Sequence, residues 1–255
     1  MAELPKTGNW SESKSSKSKV ELPFLSSRGV CNLLFEGVFN IHFLCHTSLC
    51  VVIAASFLLV FPLRVDSFFD NTTYITNRNS TGSNIICLGD SLTFGVGASP
   101  GNDYPSLLSK TLGVKVINAG VDGDETADAL KRLNQDVLSK NPKMVIVLLG
   151  GNDYFDEVPM EETFKNLDTI IKRIQDKGSM VVLVEIGTSV LGKSLEKRYD
   201  KVVLTNQTAY VPHIYKGILF NSKLKSDFKH PNDQGYKIIA HRILKVVKPL
   251  LEKAS

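Results

Sequence analysis

The chain has 255 residues, of which 43% are hydrophobic and 22% are charged, and its formal net charge is +4. These proportions are those of an ordinary globular protein. The basic residues are spread along the chain and do not form the concentrated stripe of a nucleic-acid-binding protein, so no nucleic-acid partner is predicted. The four cysteines include no CxxC pair and no Cys/His spacing that suits zinc, which argues against a disulfide framework and a zinc site.

The first 83 residues fall into three segments that differ in composition. Residues 1–40 begin rich in Ser and Lys and are predicted to be a disordered tail. Residues 41–63 contain no Asp, Glu, Lys or Arg, and a helix of this length would span roughly 35 Å, enough for a bilayer core of about 30 Å. We therefore expect a single membrane-spanning anchor there. A cleaved signal peptide or a buried helix is the alternative, but about 40 residues precede the segment, which is unusual for a signal peptide.

Residues 64–83, rich in Asn, Thr and Ser, are predicted to be a linker. Basic residues occur on both sides of the predicted anchor, so the positive-inside rule alone leaves its orientation open. N-glycosylation sequons begin at Asn71, Asn79 and Asn206, all after the anchor. We therefore expect a single-pass membrane protein whose C-terminal domain lies on the non-cytoplasmic side.

Residues 84–255 are predicted to form one compact domain in which strands and helices alternate. The expected strands are apolar runs at residues 84–88, 114–118, 144–149 and 180–186. The expected helices, with apolar residues at helical spacing, are residues 105–112, 126–139 and 160–176 and a long helix from Asp233. This alternation predicts a flavodoxin-like three-layer α/β/α domain with a central parallel sheet.

Ligands of open α/β sheets bind beyond the carboxyl ends of the strands, so the loops there are the first candidates for a site. Four of the predicted loops carry short polar motifs, which are GDSL at Ser91, NAGVDGD at Gly123, GGND at Asn152 and DFKH at 227–230. Each string alone is common turn chemistry, and a serine that begins a helix is usually a cap. Together, at loops expected to share one edge of the sheet, they predict a single functional site.

The four motifs, in this order, resemble the SGNH hydrolase superfamily, also called the GDSL esterases and lipases, over residues 84–255. The NAG-x-x-GD and GGND strings are most similar to the bacterial thioesterase I, lysophospholipase and arylesterase branch. The resemblance implies that Ser91, Gly123, Asn152 and His230 are the four residues that name the superfamily. It also implies an oxyanion hole formed by the backbone N–H groups of Ser91 and Gly123 and the Asn152 side-chain amide. The sequence departs from the family at Phe228, where the family has Gly.

The residue types suit acyl transfer. A serine hydroxyl needs a base to remove its proton, and His230 is the candidate for Ser91. Asp227 lies three residues before His230, so its carboxylate can hold the imidazole tautomer and stabilise the imidazolium. The predicted function is hydrolysis of a small ester, lipid or thioester substrate through an acyl-enzyme on Ser91, with neither a metal nor an organic cofactor.

Two alternatives belong to other classes of protein. The string from Gly187 to Ser194, GTSVLGKS, matches the P-loop pattern and follows a predicted strand, which would indicate nucleotide binding. Fewer than 70 residues follow it, and no later apolar strand ends in an Asp that could hold magnesium, so this alternative is disfavoured. The other alternative is a membrane-anchored binding protein that has this fold but has lost catalysis.

Other polar residues near the motifs have simpler interpretations. Asp90, Asp124 and Asp153 are expected to organise turns through side-chain hydrogen bonds. His213 has no carboxylate nearby in sequence, and His241 lies inside the predicted C-terminal helix, where a surface or packing role is expected. His230 is therefore the favoured base.

Overall fold

The computed structural model describes residues 74–187 and 193–252, and within them the strands and helices alternate as predicted. The strands β1 to β5 are Asn84–Gly89, Val116–Gly120, Pro142–Leu148, Met180–Val184 and Ala209–Val211. The helices α1 to α7 are Ser91–Phe94, Tyr104–Leu112, Thr126–Asp136, Gly151–Phe155, Met160–Asp176, Lys193–Asn206 and Asp233–Glu252. Short 3₁₀ helices are Leu138–Lys140 and Ser222–Leu224.

The five strands form one sheet in the order β2-β1-β3-β4-β5, and all the neighbouring strands pair in parallel. This is the flavodoxin-like order. The chain leaves β1 toward β2 on one side and then crosses to β3 on the other, so the topological switch point lies between β1 and β3. Ligand crevices of doubly wound sheets form at this point, beyond the carboxyl ends of the strands.

Hydrophobic side chains bury on both faces of the sheet, because successive residues of a strand point to opposite sides. On one face, Cys87 and Ile146 belong to a buried cluster with residues of α2 and α7. On the other face, Ile86 and Val145 belong to a cluster with residues of α3, α5 and α6. The predicted central parallel sheet between two layers of helices is therefore confirmed.

Residues 74–83, the end of the predicted linker, are attached to the domain by hydrogen bonds. The Asn77 side-chain amide donates to the backbone oxygens of Gln175, at 2.7 Å, and Ser179, at 3.1 Å. The tail predicted for residues 1–40 and the anchor predicted for residues 41–63 lie outside the described residues. None of the helices in the described ranges is both long enough and apolar enough to cross a bilayer.

Candidate active site

Ser91 begins α1, directly beyond the carboxyl end of β1. Asp90 caps this short helix, since its carboxylate accepts a hydrogen bond from the Leu92 backbone N–H at 3.0 Å. Two glycines allow the turn to pack closely. A Cβ at Gly89 would lie 2.5 Å from the Leu148 carbonyl oxygen, and one at Gly120 would lie 2.1 Å from the Phe94 nitrogen. Glycine at positions 89 and 120 therefore allows the turn that carries Ser91 to pack closely against the neighbouring strands.

The loop before α7 holds Asp227 and His230 in a fixed mutual position. One carboxylate oxygen of Asp227 accepts from the backbone N–H groups of Lys229, at 2.7 Å, and His230, at 2.8 Å. The other oxygen lies 2.7 Å from His230 Nδ1. An antiparallel bridge between Lys225 and Pro231 closes the loop. The three-residue spacing thus forms a tight turn whose carboxylate orients the imidazole.

Ser91 and His230 meet across the site, with Ser91 Oγ 3.1 Å from His230 Nε2. The structure therefore brings a hydroxyl, an imidazole and a carboxylate into one chain of contacts. Burial favours a higher pKa for the Asp227 carboxyl, but the hydrogen bonds from the His230 ring and from the His230 and Lys229 backbone outweigh it. The pKa consequently falls from 3.8 to about 2. Asp227 is therefore an anion at neutral pH, as a partner for an imidazolium requires.

Asn152 lies in α4, beyond the carboxyl end of β3. Its side-chain nitrogen donates to the Asp124 carbonyl oxygen at 2.9 Å. A carboxamide NH₂ group carries two donors, so one orients the side chain and the other is left for a ligand. Ser91 and Asn152 line the same cavity. Both therefore have access to a molecule bound there.

Gly123 lies in the loop between β2 and α3 and, among the described residues, does not line this cavity. Its φ of +84° is in the left-handed region, and no atom lies within 4 Å of a Cβ built on it. The backbone conformation, and not crowding in this structure, explains the glycine. The next residue, Asp124, is the one whose carbonyl Asn152 contacts. The Asn152 side chain thus joins its own loop to the backbone of the loop that contains Gly123.

The cavity beside Ser91 has a volume of about 410 Å³, and His230 also lines it. Its walls are mainly apolar and aromatic, and they include Tyr154, Phe155, Tyr215, Leu219, Phe220 and Phe228. Small-molecule sites commonly have this size and this mixture of apolar walls with a few polar groups. The cavity can therefore hold an apolar group next to the Ser91 hydroxyl.

Arg132 is a part of the site's framework that the sequence reasoning missed. Its guanidinium donates to the Asp124 carboxylate at 2.6 Å and to the carbonyl oxygens of Ala119, at 2.9 Å, and Gly89, at 3.1 Å. It thereby joins the ends of β1 and β2 to the loop that contains Gly123. The expectation that Asp124 organises a turn is corrected, because its side chain binds Arg132. A signal was available, since Arg132 follows the buried Ala129 by three positions and so shares its helix face.

Asp153 also joins two loops. Its carboxylate is buried and accepts hydrogen bonds from the backbone N–H, at 2.9 Å, and the hydroxyl of Thr126, at the start of α3. The hydrogen bond to a backbone N–H was predicted, but its partner lies 27 residues away and not in a local turn. Asp153 therefore fixes the GGND loop against the loop that contains Gly123.

His213 has a carboxylate partner that its sequence neighbours do not reveal. Its Nδ1 lies 3.3 Å from an oxygen of Glu185, a residue that is 2% exposed at the end of β4. The same oxygen accepts hydrogen bonds from the Tyr210 hydroxyl and the His213 backbone N–H. His213 does not line the cavity beside Ser91. It thus belongs to a separate cluster.

Residues 188–192 of the P-loop-like string lie outside the described residues, and α6 begins at Lys193. The next strand, β5, ends at Val211 and is followed by Pro212 and His213. No carboxylate therefore follows that strand directly to hold magnesium. Cys87, the cysteine of β1, is fully buried, and burial raises the pKa of its thiol, so it is not a second nucleophile. These findings leave the loops beyond β1 and β3 as the favoured site.

A parallel α/β sheet that presents a hydroxyl, an imidazole and a carboxylate in series beside an apolar cavity has the arrangement of a serine hydrolase. The chain belongs to the GDSL-like lipase/acylhydrolase family, whose model matches residues 87–238, more than half of the chain. The resemblance to the SGNH hydrolases is thereby confirmed. Membership of this family makes the chain an acylhydrolase, and neither alternative class is favoured.

Individual relatives agree with this assignment. The chain is 28% identical to the arylesterase of Vibrio mimicus over 177 residues, 65% of this chain and 88% of that protein. It is 25% identical to thioesterase 1/protease 1/lysophospholipase L1 of Escherichia coli K12 over 189 residues, 71% of this chain and 91% of the relative. The crystal structure of TesA matches the fold with a TM-score of 0.62 and 24% identity, over 66% of this chain and 99% of that chain. The domain thus corresponds to nearly the whole length of these proteins.

Proposed function

We propose that this protein hydrolyses carboxylic esters or thioesters through an acyl-enzyme on Ser91. The observation that carries the proposal is the series of contacts from Ser91 Oγ to His230 Nε2, at 3.1 Å, and from His230 Nδ1 to Asp227, at 2.7 Å. When Nδ1 carries the proton and donates to Asp227, Nε2 is the acceptor that faces the serine hydroxyl. The imidazole can then remove the serine proton.

In the first half of the reaction, Ser91 Oγ bonds to the carbonyl carbon while His230 takes its proton. The imidazolium that results is stabilised by Asp227, and it returns the proton to the departing alcohol or thiol. In the second half, water attacks the acyl-enzyme with His230 as base again, and the carboxylic acid leaves while Ser91 regains its proton. Atoms and protons balance over one turnover without an external reductant or oxidant.

The negative charge that develops on the carbonyl oxygen needs hydrogen-bond donors that are already in place, each of which contributes roughly 3–4 kcal/mol. We assign this role to the backbone N–H groups of Ser91 and Gly123 and to the side-chain amide of Asn152. The contact between Asn152 and the Asp124 carbonyl supports the assignment, because it fixes the amide before substrate binds. Preorganised donors stabilise the transition state without a cost of reorientation.

The test is Ser91→Ala in the full chain, purified in a neutral detergent and assayed with p-nitrophenyl butyrate. Turnover should fall by several orders of magnitude, and labelling by a fluorophosphonate should disappear, while the circular dichroism spectrum stays unchanged. Ser139→Ala is the matched control, since Ser139 is exposed and its hydroxyl donates a hydrogen bond to the Gln135 backbone oxygen, within its own helical segment. Wild-type turnover or labelling in Ser91→Ala would end the proposal and would leave a binding protein of this fold as the better description.

We also propose that residues 41–63 anchor the chain in a membrane and that the catalytic domain lies on the non-cytoplasmic side. The uncharged apolar segment supports the anchor, and the sequons support the orientation. The sequons are not equivalent in the fold. Asn79 is exposed, whereas Asn206 is buried and its amide donates to Asp168 and Val202, both at 2.9 Å.

Expression in a eukaryotic secretory system tests both parts of this proposal. Glycosidase treatment should reduce the apparent mass of the wild type, and Asn71→Gln combined with Asn79→Gln should abolish that change. Thr208→Val, which destroys only the sequon at Asn206, should not alter it. The chain should stay with membranes after carbonate extraction. Release by carbonate would refute the anchor, and absence of any glycan on the wild type would refute the orientation.

A further inference from the structure

Four aromatic side chains form a collar around the cavity that contains Ser91. They are Tyr154, Phe155, Phe220 and Phe228, and all four line the cavity. Each is also strongly exposed, from 45% for Tyr154 to 77% for Phe220 and Phe228. Large aromatic side chains that remain exposed next to a cavity indicate a binding surface for an apolar group.

Two lysines line the same cavity and lie against this collar. The Lys229 ammonium is 4.3 Å from the centre of the Phe155 ring. The Lys225 ammonium is 5.5 Å from the centre of the Phe228 ring and donates to the Phe228 carbonyl oxygen at 3.0 Å. These contacts hold both cations beside the cavity, since an ammonium is attracted to an aromatic face. Phe228 stands where the family has Gly, and through these contacts it also positions the Lys225 ammonium.

Within the described residues, neither ammonium has a carboxylate within 4.0 Å. Asp90, which also lines the cavity, is 2% exposed. The nearby carboxylate of Asp227 is occupied by His230 and by two backbone N–H groups. The exposed part of the cavity lining is therefore cationic as well as aromatic.

We propose that Lys225 and Lys229 form a subsite for an anionic group, a phosphate or a carboxylate, carried by an ester whose apolar part contacts the collar. This subsite rests on the proposed function of Ser91. A lysine ammonium binds phosphate or carboxylate as a compact point charge with three donors. Because both lysines are accessible to solvent, their effect should be a selectivity that salt screens.

Three esters with the same acyl group test the subsite in the full chain. They are 1-hexanoylglycerol, 1-hexanoylglycerol 3-phosphate and 1-hexanoylglycerophosphocholine, which are neutral, anionic and zwitterionic. Each is assayed below its micellar concentration and in the same concentration of neutral detergent, so that the surface offered by detergent is common to the three esters. The phosphate ester should have the highest kcat/KM, about tenfold above the neutral ester. The preference should shrink in 0.5 M NaCl, because the Debye length is then only about 4 Å.

Lys225→Met combined with Lys229→Met should lower kcat/KM for the phosphate ester about tenfold and change that for the neutral ester less than threefold. Lys223→Met is the matched control, because Lys223 lies only two residues before Lys225 and is exposed but does not line the cavity. It should preserve the preference. Equal losses on both esters, or an equal effect of Lys223→Met, would overturn the subsite.

The outcomes also separate the subsite from the proposed function. If all three esters are hydrolysed without discrimination by charge, the subsite is wrong and the proposed function stands. If the folded wild type hydrolyses none of them and fails to label with a fluorophosphonate, the proposed function fails, and the subsite fails with it. Hydrolysis that favours the phosphate ester and depends on the two lysines supports both.

Discussion

Arg132 joins three segments of the site's framework, and its replacement by Met tests that connection. Its side chain is 16% exposed and that of its partner Asp124 is 9% exposed. Met keeps a high helix propensity and much of the apolar volume, so α3 itself should persist. The variant loses the ion pairs with Asp124 and Asp136 and the hydrogen bonds to the carbonyl oxygens of Ala119 and Gly89. The Asp136 side chain is 28% exposed, so water can replace its partner at small cost.

The expected loss in the free energy of unfolding depends on which groups are left without a hydrogen-bond or ion-pair partner. Gly89 retains a hydrogen bond from the Val121 N–H at 3.1 Å, so its loss is small. Asp124 is left as a largely buried, unpaired carboxylate, and removing one partner of a buried ion pair costs about 3–5 kcal/mol. We expect about 3 kcal/mol, since the carboxyl can protonate. Burial already raises the pKa of Asp124 while Arg132 opposes that rise, so without Arg132 the pKa climbs and the deficit should shrink as the pH falls.

Urea unfolding of the full chain, followed by far-ultraviolet circular dichroism, measures this cost. Tryptophan fluorescence is unsuitable because residues 84–255 contain no tryptophan, the single one being Trp10. Lys131→Met is the control at the neighbouring position, where an exposed pair with Asp128 should contribute little. Adding Asp124→Asn to Arg132→Met should restore part of the stability. Equal urea midpoints for Arg132→Met and Lys131→Met would refute the reasoning.

Three further changes have definite expected outcomes. Burial raises the pKa of Asp90 from 3.8 to about 7, so its ionisation opposes folding, and stability should decline by up to about 4 kcal/mol between pH 4 and 7. Asp90→Asn keeps an acceptor for Leu92 and should flatten that decline in urea titrations. Asn152→Ala should lower kcat about 10²–10³-fold with little change in KM, and an unchanged kcat would remove it from the oxyanion hole. Lys193→Ala should leave turnover of p-nitrophenyl butyrate nearly intact. If instead the wild type binds ATP and Lys193→Ala abolishes that binding, the P-loop alternative is favoured.

Much of the fold was predictable because buried parallel strands are continuous apolar runs. The runs at residues 84–88 and 144–149 correspond to β1 and β3, and the positions differ by no more than two residues. The convergence of the motifs was predictable for the same reason, since carboxyl ends of parallel strands lie at one edge of the sheet. Ser91 and Asn152 therefore meet in one cavity as expected.

Other features were out of reach because they depend on contacts between distant segments. The helices α1 and α4 have four and five residues, too few to show a helical period, yet they position Ser91 and Asn152. The pairing of Glu185 with His213 spans 28 residues, and nothing in either neighbourhood indicates it. The helix α6 was not predicted either, although Leu195, Tyr199 and Val202 recur at helical spacing and pack in the core.

The residues assigned to the reaction and those assigned to substrate selectivity are held in this domain in different ways. The groups assigned to the reaction are held by backbone hydrogen bonds and by close packing that requires glycine at positions such as 89 and 120. The collar and Lys229 are instead exposed and Lys225 is partly exposed, so we expect their replacement to leave that framework intact. We therefore expect a substitution at Phe228, which is 77% exposed, to alter which esters bind without moving His230, two positions away. We therefore expect the cavity lining, more than the motifs that identify the family, to determine this chain's choice of substrate.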